Sequence, residues 1–333
     1  MLPPAPAGSS DAESVVLREY RPHVRHVVTY PLIAHPYSPE LVTKQAIVRF
    51  ATRAEELGFD GVGFTDHPAP SHRWLQAGGH DALDPFVALG VVAAVTERLR
   101  LVPNILVLPY RNPFLVAKAA ATLDTVSGGR FVLAVATGYQ RGEYRALGVD
   151  FDERNDLFDE ALAVIRGIWT EDEFAYEGRH FTARGQTANP KPAHVPVWIG
   201  GNSALSRRRV AAVGDGWTPF AASATLAQTA KTPVLESVHD LKPMLDHLWR
   251  CVEEAGRDPA AIDISLQALG CAPPGHQAFD PCQHVETLGT LAGLGVTWTG
   301  IGVPGDSVDH ALEALEQYAE GVIGPLRQGA PST

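Results

Sequence analysis

The chain has 333 residues, 45% of them hydrophobic, and its 38 Asp and Glu residues outnumber 27 Lys and Arg residues to give a net charge of −11. This composition supports a large buried core, and the acidic average surface disfavours a nucleic-acid partner. No run is apolar enough to span a membrane, and Cys251, Cys271 and Cys282 fit neither a disulfide framework nor a zinc site, so we expect a cytoplasmic protein with reduced thiols.

The two ends of the chain have the composition of tails. Residues 1–11 are rich in Pro, Ala, Gly and Ser and have neither the basic start nor the apolar core of a signal peptide. We therefore predict a flexible N-terminal tail over residues 1–22, one catalytic domain over residues 23–325 and a C-terminal tail over residues 326–333.

Between the tails, short apolar runs alternate with helical patterns. Asp84 and Pro85 mark the start of the second helix as N-cap and first-turn proline, and residues 174–181 and 221–239 are insertions, the first with a hairpin pattern. In chain order the predicted elements are strand 24–34, helix 39–57, strand 61–65, helix 85–95, strand 99–108, helix 113–126, strand 131–136, helix 152–169, strand 197–199, helix 204–213, strand 216–219, helix 242–255, strand 262–269, helix 285–294, strand 296–302 and helix 308–318.

This order predicts the fold class. The strands are nearly continuous apolar runs, as expected of parallel strands that are covered on both faces. Eight consecutive strand-helix units favour a single (β/α)8 TIM barrel with insertion segments over an open sheet. A doubly wound sheet stays the alternative, because the eighth unit depends on one short strand.

The second strand ends on Asp66 and His67, at the barrel end where active sites usually lie. A carboxylate beside an imidazole can move protons near neutral pH, although Asp66 capping a turn and His67 packing would explain the pair equally well. His72 and His80 follow in the same loop. Their spacing matches no common metal-ligand motif, so we expect no metal.

Residues 200–203 follow the fifth strand and open a helix. The glycines Gly200 and Gly201 let the backbone approach a ligand, and the amides of Asn202 and Ser203 with the helix dipole suit a phosphate. A plain turn with an Asn or Ser helix cap is the alternative.

Two further strand ends have unusual residues. Thr137, Gly138 and Tyr139 follow the fourth strand, where Gly138 would allow a flat ring to lie against the backbone, although a simple tight turn also explains it. Pro103 and Asn104 interrupt the third strand, which predicts a bulge at a site or a plain edge distortion.

Five blocks of sequence, in this order, resemble the luciferase-like monooxygenase superfamily, and in particular its branch of oxidoreductases that use the deazaflavin coenzyme F420. The resemblance covers about residues 24–318 and implies a bacterial luciferase-like (β/α)8 barrel, in agreement with the element order. The blocks are residues 58–67 (GFDGVGFTDH), 96–101 (TERLRL), 106–113 (LVLPYRNP), 121–130 (ATLDTVSGGR) and 213–217 (VGDGW).

The resemblance implies that a flavin-like ring lies over the barrel mouth and that the Asn104 to Ile105 peptide bond is cis. Two departures affect the phosphate loop: Asn202 and Ser203 replace the Gly-Gly pair of some family members, and the loop follows the fifth strand, whereas phosphate sites of barrels most often follow the seventh and eighth. The residues implied to contact the cofactor are Asp66, Asn104, Ile105, Thr137, Gly138, Tyr139, Gly200, Gly201, Asn202 and Ser203.

The sequence therefore leads to the hypothesis of hydride transfer between F420 and a small organic substrate with a conjugated C=C, imine, carbonyl or alcohol group. His67 would be the general acid/base and Asp66 would orient it, while Trp74, His72 and Trp217 would contact the substrate. An FMN-dependent monooxygenase and a non-catalytic flavin-binding barrel are the alternatives. The resemblance also implies a homodimer.

Overall fold

The computed structural model describes residues 24–328. The predicted tail at residues 1–22 lies outside this part of the chain, as do residues 329–333. Residues 326–328, predicted as tail, belong to the last helix, Gly324–Gln328.

Eleven strands occur within the described residues. Those of the barrel are β1 to β5 and β8 to β11, whereas β6 and β7 form a separate antiparallel hairpin. The strands are β1 (Arg25–Thr29), β2 (Gly61–Phe64), β3 (Arg100–Pro103), β4 (Leu106–Val107), β5 (Leu133–Ala136), β6 (Phe174–Glu177), β7 (Thr182–Gln186), β8 (Val197–Gly200), β9 (Gly216–Thr218), β10 (Asp263–Ile264) and β11 (Trp298–Ile301).

The barrel strands are parallel and form two sheets with the orders β11-β1-β2-β3 and β10-β9-β8-β5-β4. Single parallel bridges, Leu101 with Phe131 and Ser265 with Trp298, connect the two sheets at both edges. Since β3 and β4 are two parts of one strand position, the ring has eight positions. The predicted (β/α)8 barrel is therefore confirmed, and the doubly wound alternative is wrong.

The helices follow the strands as predicted, with four additions within the described residues that the sequence pattern did not show: α2 and α5 in the loops after β2 and β5, α8 within the insertion at residues 221–239, and α12 after the last predicted helix. The helices are α1 (Lys44–Glu56), α2 (His72–Gln76), α3 (Pro85–Ala93), α4 (Pro113–Val126), α5 (Arg141–Ala146), α6 (Arg154–Thr170), α7 (Ala204–Val213), α8 (Ala224–Ala230), α9 (Val238–Glu254), α10 (Pro281–Gly293), α11 (Val308–Tyr318) and α12 (Gly324–Gln328). No described helix is long and apolar enough to cross a membrane.

Local chemistry explains several boundaries. Asp84 caps α3 by accepting the amides of Phe86 and Val87, as predicted, and Pro85 follows it. The third strand differs from its prediction, because the chain between β3 and β4 turns at the cis peptide bond from Asn104 to Ile105.

The turn before β5 is held by one buried guanidinium, that of Arg130. Arg130 donates to the carbonyl oxygens of Ser127, Leu99, Ala93 and Thr96 and to the hydroxyl of Thr96, at 2.8 to 3.0 Å. It thereby connects the end of α3, the start of β3 and the end of α4. The SGGR sequence at residues 127–130, which ends the fourth block of the family resemblance, therefore has a structural role.

Two hydrophobic layers hold the barrel together. The larger one lies between the strands and the helices, and a smaller cluster fills the inside of the barrel. Inside, the rings of Trp198 and Trp298 meet edge to face with 5.2 Å between their centroids. The interior is therefore filled, so a ligand can bind only at a barrel end.

Candidate active site

The predicted site residues gather where the parallel strands end, and direct contacts show that their loops touch. A Cβ on Gly200 would lie 2.4 Å from Ile105 Cδ1, and one on Gly138 would lie 2.6 Å from Val107 Cγ1. The loops after β5 and β8 therefore pack on the β3 to β4 segment at one barrel mouth. Gly138 has a φ of 64° and Gly201 a φ of 108°, conformations that favour glycine.

His67 is the most chemically competent residue of this mouth. Its Nδ1 lies 2.9 Å from Glu143 Oε2, and 11% of its side chain is exposed. A carboxylate only accepts hydrogen bonds, so Nδ1 carries a proton, and in the neutral imidazole the free lone pair is on Nε2. Nε2 has no hydrogen-bond partner within residues 24–328.

Glu143 is a site residue that the sequence reasoning did not assign. It is fully buried on α5, where Oε1 accepts the amide of Ala69 at 3.1 Å and Oε2 also accepts the hydroxyl of Tyr110 at 3.2 Å. Burial and the nearby Glu143 charge raise the pKa of Tyr110, which keeps it a donor. Three donors thus hold Glu143 in one position beneath the imidazole.

Aromatic side chains surround the other faces of His67. The ring of Trp74, from α2, lies 4.6 Å from the imidazole, and the ring of His80 lies 4.9 Å away. Burial lowers the pKa of His80, so this second imidazole is neutral at pH 7. Trp74 therefore lies beside His67, and its contact with a substrate stays a prediction.

Asp66 differs from its predicted role as the orienting partner of His67. Its carboxylate forms a bidentate pair with Arg111, at 2.6 and 2.8 Å, and accepts the amide of Val107 at 2.9 Å. Arg111 also donates to Asp84, the cap of α3. Asp66 is buried and its oxygens point to the segment after β4, so it supports the mouth. Glu143, rather than Asp66, holds His67.

The segment between β3 and β4 forms the floor of the mouth. The bond from Asn104 to Ile105 is cis, as the resemblance implied. Asn104 donates from Nδ2 to Thr29 Oγ1 at 2.9 Å and from its amide to the Phe64 carbonyl at 2.7 Å. These two hydrogen bonds attach Asn104 to the ends of β1 and β2.

The loop after β5 has one enclosed and one accessible residue. The carbonyl of Thr137 accepts the hydroxyl of Tyr144, so this strand end is tied to α5. Tyr139 keeps 37% of its surface exposed, and burial of its hydroxyl raises its pKa. Tyr139 is thus available to a ligand as a neutral phenol.

The loop after β8 has the expected shape, but two of its side chains serve the protein. Asn202 is buried, accepts the Phe220 amide and donates to the carbonyls of Phe220 and Pro233. Ser203 caps α7 by accepting the Ser206 amide at 3.0 Å. The alternative interpretation of Ser203, as a helix cap, is therefore correct.

The backbone of the same loop remains suited to an anion. Trp217 donates to the Gly201 carbonyl at 2.9 Å and Arg207 to the Asn202 carbonyl at 2.8 Å. In a trans peptide the N–H points opposite to the C=O. Because the carbonyls of Gly201 and Asn202 point into the protein, the amides of Asn202 and Ser203 point away from it. Within the described residues, the amides of residues 202–205 have no acceptor.

Two predicted substrate residues lie elsewhere. Trp217 is fully buried and supports the β8 loop, so it has no surface that a substrate could reach. His72 is exposed on α2, with its ring 6.4 Å from that of His35 rather than beside His67. Residues 24–328 contain no group of three or more His, Cys, Asp or Glu that could hold a metal ion.

The family assignment follows from a comparison of the chain with known proteins. The family model described as luciferase-like monooxygenase matches residues 26–278. The chain belongs to this family. An F420-dependent glucose-6-phosphate dehydrogenase of Kineococcus radiotolerans is 32% identical over 272 residues, which cover 80% of this chain and 74% of that protein.

Solved structures of luciferase-like proteins share the fold. A monooxygenase from Streptomyces bottropensis, RslO1, superposes with a TM-score of 0.74 at 19% identity and covers 90% of this chain and 99% of its own. An F420-dependent secondary alcohol dehydrogenase, solved with an F420-acetone adduct, has a TM-score of 0.69 at 18% identity, with the same coverage. At these identities the similarity supports the fold alone.

Proposed function

We propose that this protein is an oxidoreductase that transfers a hydride between coenzyme F420 and a small organic substrate. The observation that carries the proposal is the His67 and Glu143 pair, which leaves a basic nitrogen free at the barrel mouth. The F420-dependent relative from Kineococcus supports the choice of cofactor. The cytoplasmic location stays a prediction.

The residues of the mouth fit such a cofactor. The glycines Gly138 and Gly200 let the loops after β5 and β8 pack closely against Val107 and Ile105, so that these segments form one continuous mouth on which a flat ring would lie. A phosphate needs unpaired donors, which the amides of residues 202–205 provide at the start of a ten-residue helix. Bound F420 would supply a carbon that accepts or donates a hydride.

His67 would supply the proton chemistry. When an alcohol is oxidised, its carbon loses a hydride and its hydroxyl loses a proton, which Nε2 of His67 accepts. In the reverse direction Nε2 returns the proton to the carbonyl oxygen. Glu143 keeps Nδ1 protonated, so that Nε2 stays the proton acceptor. Trp74 shields the face of the imidazole on which its own ring lies from water.

A binding titration tests the choice of cofactor. We expect oxidised F420 to bind with a dissociation constant in the micromolar range or below and FMN to bind at least about 10-fold more weakly, since each 1.4 kcal/mol is tenfold. Fluorescence and absorbance titrations measure both dissociation constants. Tight FMN binding without F420 binding, with oxygen uptake when FMN is reduced, would establish the monooxygenase alternative.

The non-catalytic alternative needs a separate measurement. If the barrel only carries a flavin, the His67→Ala variant should bind the cofactor as the wild type does, and its function should be unchanged. We expect instead that the variant binds F420 normally and loses turnover.

A further inference from the structure

We propose that the substrate of this mouth is an uncharged alcohol or carbonyl compound without a phosphate group. The inference rests on the proposed function and specifies its substrate class. It separates this chain from the relatives that are named for glucose 6-phosphate. Phosphate monoesters carry a charge of about −1.5 to −2 at pH 7, so an enzyme that binds one needs cations or free amides at the substrate.

The segments that follow the barrel strands contain few cations. These mouth segments are residues 30–43, 65–84, 108–112, 137–153, 201–203, 219–237, 265–280 and 302–307, and their Lys and Arg residues are Arg73, Arg111, Arg141, Arg145 and Lys231. Arg111 is paired with Asp66 and Asp84, and Arg141 with Asp152. The other three are exposed. None of the five is both unpaired and even half-buried.

The last part of the barrel has no Lys or Arg. Between Arg257 and Arg327 the sequence contains no Lys or Arg, although this stretch includes β10, β11 and both mouth segments that follow them. In barrels of this class a phosphate site is most often built from the loops after the seventh and eighth strands. Here those loops contain Asp280 and Asp306 instead.

A cavity borders this part of the mouth. It has a volume of about 530 Å³ between the segments after β1 and β11, and it is lined by Ala34, Pro36, Tyr37, Ser38, Gly305 and Asp306. Its one charged side chain is a carboxylate. Ile33 and Tyr37 beside it are each 41% exposed. An aliphatic or aromatic group fits these walls, whereas a dianion would meet the carboxylate of Asp306, whose partner is His310 at 2.8 Å rather than a Lys or Arg.

Cations are present elsewhere in the protein. Arg25, Arg98, Arg100 and Arg327 surround a cavity of about 480 Å³ at the opposite, amino-terminal end of the barrel, which is also lined by the acidic residues Glu55, Glu56 and Asp60. The scarcity of cations at the mouth is therefore local. The amides of residues 202–205 are the anion donors there, with the buried guanidinium of Arg207 behind them on the Asn202 carbonyl, and the proposed cofactor would occupy these amides.

The test compares matched substrates on the F420-loaded full-length protein. Initial rates of F420 reduction are measured with glucose 6-phosphate, glucose, cyclohexanol and 2-propanol, and rates of reduced F420 oxidation with the corresponding ketones. We expect kcat/KM for the best uncharged alcohol to exceed that for glucose 6-phosphate at least about 100-fold, the loss expected when two charge-assisted bonds are missing. A higher kcat/KM for glucose 6-phosphate than for every uncharged compound would overturn the inference and keep the proposed function.

Two further measurements complete the test. Calorimetric titration of the F420-loaded protein with glucose 6-phosphate should show no saturable binding at millimolar concentration, and saturable binding would contradict the inference. Asp306→Lys should raise the kcat/KM of glucose 6-phosphate relative to glucose several-fold, while the exposed Glu286→Lys on α10 should not, and equal effects of both would count against it. Absence of F420 binding in the same samples would remove the proposed function and the inference together.

Discussion

At the scale of single residues, the site depends on the asymmetry of one imidazole. Nδ1 of His67 is fixed by Glu143, and Nε2 is unpaired at the mouth. Glu143 in turn is fixed by Tyr110 and by the Ala69 amide. The carboxylate therefore acts on the reaction through His67, as a positioning residue.

Glu143→Gln tests this role, since it preserves the side-chain size but lets the amide present a donor to Nδ1. We expect kcat to fall about 10- to 100-fold with an unchanged KM and an unchanged F420 dissociation constant, because misplacement of a catalytic group reduces the rate without reducing binding. Steady-state kinetics and a fluorescence titration measure both. Glu177→Gln on the exposed hairpin is the control, and a kcat equal to that of the wild type would contradict the role.

A second residue connects pH to stability. Burial, with a smaller effect of Arg327, lowers the pKa of His26 on β1 from 6.5 to about 3. Below pH 6.5 the unfolded chain therefore binds a proton that the folded chain does not, and stability falls as the pH falls.

We expect this difference to cost about 2 kcal/mol of unfolding free energy between pH 7 and pH 5. Urea denaturation of the wild type and of His26→Phe at both pH values isolates the effect, because Phe keeps a ring beside Tyr318 and cannot titrate. Equal losses in the two proteins would show that His26 does not contribute.

At the scale of elements, the start of α7 depends on Asn202, which links the loop after β8 to the segment after β9. Asn202→Ala leaves the Phe220 amide and two carbonyls without their partner, so we expect a loss of about 2 to 3 kcal/mol and a weaker F420 affinity. Ser203→Ala, which removes a helix cap and a hydrogen bond with the Ser206 hydroxyl, should cost about 1 kcal/mol. Urea denaturation compares the two, and a greater loss for Ser203→Ala would contradict this account.

The elements also show what the sequence could predict. Helices α4, α7 and α11 have the predicted bounds, because prolines, serines and asparagines at their starts act within one turn. The cis bond at Asn104 was available only through the family resemblance. The seventh strand was overestimated: β10 pairs over two residues, since an apolar run does not reveal where its hydrogen-bonding partner ends.

The partners of the site residues could not be predicted in the same way. His67 meets Glu143 across 76 residues of sequence, and Asp66 meets Arg111 across 45. The adjacent Asp66 was the natural candidate for His67, but neighbouring residues at a strand end point in different directions. Tertiary contacts of this kind depend on how the loops after β2, β4 and β5 pack together.

At the scale of the whole molecule, we propose that the outer surface of α3 and α4 is the interface of the expected homodimer. Helix α3 has no polar residue, and such a helix is normally buried on all sides. Val87 on α3 is nevertheless 72% exposed, and Leu115 and Val126 on the neighbouring α4 are 70% and 67% exposed. Pairing with a second copy would cover these side chains.

Val87→Asp combined with Leu115→Asp should convert the protein from a dimer to a monomer, because two charges cannot be buried without partners. Sedimentation velocity at micromolar concentration measures the mass. Leu226→Asp on α8, 38% exposed in the wild type, is the control and should remain dimeric. A monomeric wild type would contradict the proposed interface.

The barrel, its mouth and the charge of its loops together lead to one claim: a deazaflavin hydride transfer in which His67 moves the proton. Single-turnover absorbance of F420-loaded protein, mixed with an uncharged alcohol, tests this claim most directly. We expect the deazaflavin band to bleach without oxygen consumption, and to bleach at least about 100-fold more slowly in His67→Ala at equal F420 occupancy. Bleaching at the same rate in both proteins, or none in the wild type with F420 bound, would contradict it.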